Sequence, residues 1–520
     1  MTEPLAFPTQ GELVTYTFNA FGVLPVKHDR AFEEKAKTSF QRLLKRLKDE
    51  EGLLIKNFEK ALETFNERLG RYLQDERSQK IIMGVLADLY HAFNRTMINE
   101  GTYTTKKDTL LYFLVTKATS SLVESATFRS LRWRLFAGED LVPNLEMFLP
   151  DISEDGKTIW PLAKVIRWIY SEMNCSQTQF HFPGKVAGAT DYSMDQNLEN
   201  AGNWARDEAL PSLPALITNF QHSLEAQKNK REIPAGLQSS MVLRLTLARL
   251  ATAVCKDISD TYGIKALKRF TTNILMFFTD ICLEIDEFKR VTVEAHHVDD
   301  PTQIPDPIWE HACADYSNFF FDKKEKALET LHKLYRGDPE FPFKSSVIAK
   351  LTDDMGRYPV RTNLYIFVNS GAWQPAPAFY EYLERGLELK KNSRTTLEDV
   401  SQFENDLAAT TVADQLAWLV PWLKGVIWYR ANKFEQAWPF SKEAFTLGKY
   451  RAGGNQYLLV NQFLELSAKT RHWREFKAAY EWANYAGIKV RWAGDNQVTQ
   501  ESMESAYAML GMQNLSYSQV

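Results

Sequence analysis

LIKNFEKALETFNERLGRY, residues 54–72, decides the fold class. Leu54, Phe58, Ala61, Leu62, Phe65, Leu69 and Tyr72 return at helical spacing for about five turns, while Lys, Arg and Glu fill the other faces. Such a segment is an amphipathic helix that must bury one stripe. The stretch before it repeats the pattern with Phe40, Leu43, Leu44 and Leu47, and Gly52 marks the joint. Residues 29–77 therefore read as a helical hairpin packed on its own domain.

The helical pattern runs outward in both directions. Residues 81–147 continue it, with a turn at Asn99-Glu100-Gly101 and a break bounded by Pro143 and Pro150. DISEDGKT (151–158) reads as a polar, acidic linker. The most apolar helices fall within 239–288, at Met241 to Ile258 and Ile274 to Ile285. Arg244, Arg249 and Lys256 interrupt the first, and Asp280 and Glu284 the second, so both are expected at the centre of a bundle, not in a bilayer. The run VTVEAHHVDDPTQIPDP (291–307) reads as a second break, with Val291-Thr292-Val293 favouring a strand. At the start, Pro4, Pro8, Gly11, Gly22 and Pro25 predict an irregular arm holding one short strand in TYTFNAFGVL, and no secretory leader is expected. The expected divisions are 1–28, the irregular arm; 29–150, a helical domain; 151–300, a central bundle; and 301–520, a repeat region.

The chain has 520 residues, 44% of them apolar and 25% charged, which excludes fibrous and disordered classes. A net charge of −4 excludes a basic field over the whole surface. Cys175, Cys255, Cys282 and Cys313 are widely spaced, which argues against a zinc ribbon or a disulfide framework and fits a reducing cytoplasm.

The C-terminal part resembles tetratricopeptide (TPR) arrays in WLKGVIWYRANKFEQAWPFSKEAFTL, residues 422–447. Gly425, Trp428, Phe434, Ala437 and Ala444 fall where a TPR places its small and aromatic packing residues. Trp473, Phe476, Tyr480 and Ala483 repeat the spacing, as do Trp373, Ala376, Tyr380 and Leu383, with a weaker copy at Ala327, Leu331 and Leu334. The resemblance implies stacked helical hairpins whose concave face binds a peptide or another protein.

Candidate chemistry is sparse. His296, His297, Asp299 and His311 lie in the densest run of ligand-type residues, where imidazole and carboxylate would suit zinc, iron or manganese. Arg290 and His296 stand at a spacing that resembles the R-x4-6-H signature of HEPN ribonucleases. That resemblance implies a His acid or base at the ribose 2′-hydroxyl and an Arg on the phosphate. FRSLRWRLF places Arg129, Arg132, Trp133 and Arg134 together, a pattern suited to gripping phosphate and stacking a base. Lys228, Lys230 and Arg231, and Arg42, Lys45, Arg46 and Lys48, form two further basic stretches. PGKVAGAT (183–190) has a Gly-Lys pair without the order of a phosphate loop. Asp280, Glu284 and Glu287 share one helix face, where Asp257 or Asp260 would complete a carboxylate site or cations would make it a salt-bridged stripe.

The expectation is an all-α, cytoplasmic, non-membrane protein without a cofactor. It acts as a scaffold, adaptor or sensor subunit that binds other protein subunits through its repeat surface. The alternatives are a helical ribonuclease or an RNA-binding effector.

Overall fold

The computed structural model describes residues 7–23, 34–73, 75–99, 105–134, 145–182, 191–228, 230–234, 236–337, 345–370, 376–491 and 498–512. Trp373 and the Gly-Lys stretch 183–190 lie outside them. The fold is all-α, as the periodicity predicts. The N-terminal helices are α1 (Gln10–Phe21), α2 (Glu34–Lys48), α3 (Leu54–Gly70), α4 (Glu76–Asn99), α5 (Lys106–Tyr112) and α6 (Thr119–Arg132), with a π-helical turn at Phe113–Ala118 joining the last two. The middle holds α7 (Pro161–Glu172), α8 (Gln177–His181), α9 (Asp191–Ala205), α10 (Leu213–Gln227), α11 (Leu237–Tyr262), α12 (Ile264–His296) and α13 (Asp306–Gly337). The rest is α14 (Ser345–Met355), α15 (Arg357–Ser370), α16 (Pro377–Lys391), α17 (Leu397–Ala408), α18 (Leu419–Arg430), α19 (Phe434–Gly448), α20 (Gln456–Lys469), α21 (Trp473–Ala486) and α22 (Gln500–Met512).

Within the expected irregular arm, the described residues 7–23 are mostly the helix α1. Thr9 and Glu12 form a reciprocal capping box at the start of α1, and Leu13, Val14, Phe18 and Phe21 are buried. Burial of this stripe overrides the strand tendency of its Thr, Tyr and Phe residues. Gly11 lets α1 touch the end of α2, because a Cβ there would sit 2.2 Å from the Leu47 carbonyl oxygen. Gly11→Ala is expected to cost about 1–3 kcal/mol, read by chemical denaturation, since backbone cannot step aside as a side chain can.

Three other local expectations change. The 151–158 linker is a small antiparallel hairpin, β1 (Asp151–Ile152) with β2 (Thr158–Ile159), closed by a turn through Gly156 at φ 83°. Val291-Thr292-Val293 belongs to α12, where the buried Thr292 hydroxyl donates to the Phe288 carbonyl at 2.7 Å. The divide at 300/301 crosses a shared core: Phe288 stacks on Tyr316 at 4.4 Å and packs on Trp309 at 5.7 Å.

The chain's two ends also share a core. Phe7, Phe18, Leu47, Phe65 and Phe93 belong to one buried cluster with Phe463, Tyr480, Trp482 and Tyr485. Phe58 meets Tyr485 edge-on at 5.8 Å, Asn94 donates to the Tyr485 carbonyl, and Gln456 to that of Met97.

In the C-terminal part, helices join in short-linked pairs. Residues 431–433 connect α18 to α19, and 470–472 connect α20 to α21. Both turns place the middle residue in the left-handed region, Asn432 at φ 55° and Arg471 at φ 61°. Both follow it with the same backbone conformation, φ −97° and ψ 68° at Lys433, φ −93° and ψ 68° at His472. Gly425, Ala437 and Ala444 are buried where α18 meets α19, and a Cβ on Gly425 would touch Phe440 and Ser441. Trp428, Phe434 and Trp473 are half-buried against the core; Tyr480 and Ala483 are fully inside it.

Candidate functional site

The residues singled out in the sequence are placed separately. Arg290 is exposed and held by two carboxylates of its own helix, Glu287 at 2.6 Å and Glu294 at 2.7 Å. His296 lies at the exposed end of α12 and His297 is its left-handed C-cap. His311 pairs with Asp315 at 3.4 Å one turn along α13. Among the described residues no group of three or more His, Cys, Asp or Glu side chains is placed to hold a metal. His296, His297, Asp299 and His311, a candidate cluster in the sequence, therefore do not come together as a metal centre. The carboxylate face of α12 is a salt-bridged stripe: Asp280 is buried and takes Arg361 at 2.7 Å and Arg357 at 3.2 Å, and Glu287 takes Arg290.

The basic knot at 129–134 is spent on structure. Arg129 donates to Asp88 at 2.8 and 3.0 Å. Arg134 reaches Asp306 at 2.8 Å and the carbonyls of Pro301 and Ile304, and lies 5.3 Å from the Trp309 ring centre. Trp133 is half-buried between Arg132 and Lys80, each 5.3 Å from its ring centre. Of the other basic stretches, Arg231 donates to the carbonyls of Met173 and Asn174, and Lys228 pairs with Glu225. Arg42 and Arg46 line an open groove of about 630 Å³ between α2 and α3, together with Lys60.

Behind the knot, α4, α6, α13 and α15 enclose a cleft of about 510 Å³. Its wall carries the buried Glu124, which accepts from Tyr358 at 2.8 Å and from Lys324. Burial beside Glu124 pushes the Tyr358 phenol well above its ordinary 10. Arg129, Asp88 and Ser125 form a second network on the same wall. Cys313 lines the cleft as a buried thiol, raised to about 12 by desolvation, so it is an unreactive packing group. The charges of both networks are paired, which makes them a device for holding helices together.

A different electrostatic pattern lies where α16, α18 and α20 meet. Lys390 sets its amine 4.4 Å from the ring centre of the buried Trp422, whose indole N–H donates to Gln462 of α20. Arg430 donates to the carbonyls of Lys390 and Asn392 at the end of α16. Burial first, and then the repulsion of Arg430, Lys391 and Arg491, push the Lys390 amine down to about 8. Beneath them, Tyr429 donates to the buried Glu465, with Lys469 3.5 Å from the same carboxylate. Burial raises Glu465, with Tyr429, Lys469 and Arg491 acting in the opposite sense. No local motif announces this cluster, because its cations come from the ends of two helices and from a segment after α21.

One isolated histidine was also silent in the sequence. His181 is wholly buried between Ser223 at 2.7 Å and the Tyr170 hydroxyl at 2.9 Å. Desolvation lowers it from 6.5 to about 3. The unfolded chain takes up this proton below pH 6.5 and the folded chain does not. The stability held above pH 6.5 is therefore lost progressively as pH falls toward 3, by about 1.4 kcal/mol per pH unit from this group. Denaturant midpoints measured down the pH scale should fall less steeply in His181→Gln.

Among the described residues no helix is long and apolar enough to cross a membrane. The chain matches no protein-family model, and comparison with curated proteins and with solved structures brings out no relative.

Proposed function

We propose that the chain is a protein-binding scaffold, a subunit of a larger assembly, whose C-terminal helices form an irregular TPR-like array carrying the docking surface. One observation supports this reading above the others. The pairs α18/α19 and α20/α21 turn through the same backbone geometry, α19 packs along α20, and Trp422 to Gln462 and Tyr429 to Glu465 reach from α18 to α20. Pairs that turn alike and pack one on the next offer a continuous face to a partner. The ribonuclease alternative has no comparable support, since Glu287 and Glu294 already occupy Arg290.

The test is affinity capture of the tagged full chain from its native cell at moderate salt. A stoichiometric protein that stays bound as salt rises supports the scaffold. Capture of RNA or DNA alone, released steeply with salt, would overturn it. His296→Ala is expected to leave the captured set unchanged.

A further inference from the structure

The open groove of about 630 Å³ between α2 and α3 has Arg42, Leu43 and Arg46 on its α2 side and Lys60 on its α3 side. Arg42, Arg46 and Lys60 are exposed, and none of the three has an ion-pair partner among the described residues. No carboxylate lines the groove: Glu59, Glu63 and Glu67 of α3, and Asp49 and Glu51 of the turn, lie outside it. Like charges one turn apart weaken a helix, so Arg42 and Arg46 cost α2 stability that no neighbour in the groove returns. The apolar stripe of α2, Phe40, Leu43, Leu44 and Leu47, is buried in the protein's own core, so the basic face is what this helix presents outward.

We propose that this groove docks an extended acidic segment of a partner protein, with two alternate carboxylates on Arg42 and Arg46 and the carboxylate between them on Lys60. The proposal rests on the scaffold reading and adds the chemistry of a partner to it. Charge and spacing both support it. Arg42 and Arg46 stand four residues apart on α2, a rise of about 6 Å. Alternate side chains of an extended chain share one face about 6.6 Å apart, and the residue between them faces the other way, here toward α3. Guanidinium forks hold carboxylates through paired charge-assisted hydrogen bonds. The three cations are spread over a helical turn and two helices, which suits separate carboxylates better than one phosphate. No aromatic side chain lines the groove to stack a base, and the buried apolar stripe of α2 is not free to enter a lipid surface.

The direct experiment measures, by fluorescence anisotropy, binding to the full chain of a labelled peptide with a central run of three glutamates flanked by glycine and serine. It should bind about tenfold tighter than the same peptide with three glutamines, and lose that advantage as salt rises. Equal binding of the two peptides overturns the groove. The double variant Arg42→Gln, Arg46→Gln should weaken the glutamate peptide about tenfold, and Lys60→Gln about threefold, with thermal unfolding unchanged because these exposed side chains hold nothing in place. Lys45→Gln removes an equally exposed cation of α2 from outside the groove, and should leave the affinity unchanged. A loss with Lys45→Gln as large as with the double variant would show a diffuse basic field and overturn the assignment, as would an unchanged affinity in the double variant.

The partner arm repeats the affinity capture with the double variant and with the two peptides as competitors. A protein released by the glutamate peptide but not by the glutamine peptide, and absent from the double variant, supports the proposal. A stoichiometric partner indifferent to both leaves the scaffold standing and overturns the groove as its dock. Release by nuclease or phosphatase assigns the groove to phosphate groups and overturns it too. Peptide binding without any captured protein removes the scaffold reading and, with it, the acidic partner.

Discussion

Glu124→Ala is expected to lower the unfolding free energy by about 3–5 kcal/mol, the cost of breaking a buried ion pair from one side. Glu124 is 3% exposed on α6, yet its carboxylate holds Lys324 of α13 and the hydroxyl of Tyr358 of α15. Three helices meet on one charge. Without it, the Lys324 ammonium, only 17% exposed, keeps its charge beside apolar wall, and the Tyr358 hydroxyl loses its acceptor. The distinguishing variant removes both charges. Glu124→Leu with Lys324→Met should lose less stability than Glu124→Ala alone, because a buried pair replaced by packed apolar groups is close to neutral. Guanidinium denaturation of the variants decides it. A double variant weaker than Glu124→Ala would mean that the pair contributes net stability beyond mutual neutralisation.

What the sequence makes legible is local and periodic. On α3 the spacing picks out Leu54, Ala61, Phe65 and Leu69 as buried, and so they are, with Phe58 and Leu62 half-buried beside them. α1 escapes that reading because the strand-favouring run Thr15-Tyr16-Thr17-Phe18 interrupts its stripe of Leu13, Val14, Phe18 and Phe21. The signal that was present is Thr9 followed three residues on by Glu12, a capping box that fixes a helix start. The fate of Arg290 was equally legible, since Glu287 and Glu294 stand three and four residues away on the same helix. The pairings that organise the interior were not. Asp280 finds Arg361 across 81 residues, Lys324 finds Glu124 across 200, and Arg430 finds the Lys390 carbonyl across 40. No spacing rule encodes contacts of that range. The all-α class follows from periodicity, while the sites follow from how helices are brought together.

Trp482→Ala should be the most damaging single change near the chain's ends, at about 3–5 kcal/mol for a large buried aromatic. Trp482 is 2% exposed, packed edge-on against Phe445 at 5.6 Å and Tyr450 at 5.5 Å. Its indole N–H donates to the Tyr450 hydroxyl at 2.9 Å. That hydroxyl in turn donates to Glu50, between α2 and α3, where Lys449 also pairs at 2.5 Å. Truncating the ring therefore leaves a cavity in the C-terminal core and loosens the polar link to the N-terminal hairpin. Because Phe58, Asn94 and Met97 touch the same C-terminal helices, the two ends should lose protection together. Hydrogen exchange reads this directly: amides of α3 and of α21 should both speed up in Trp482→Ala, by similar factors. Faster exchange confined to α20–α22, with α3 as protected as before, would show that the ends fold as separate units. Trp482→Phe keeps most of the ring volume and loses only the N–H, so it should retain most of the stability and the common protection of both ends.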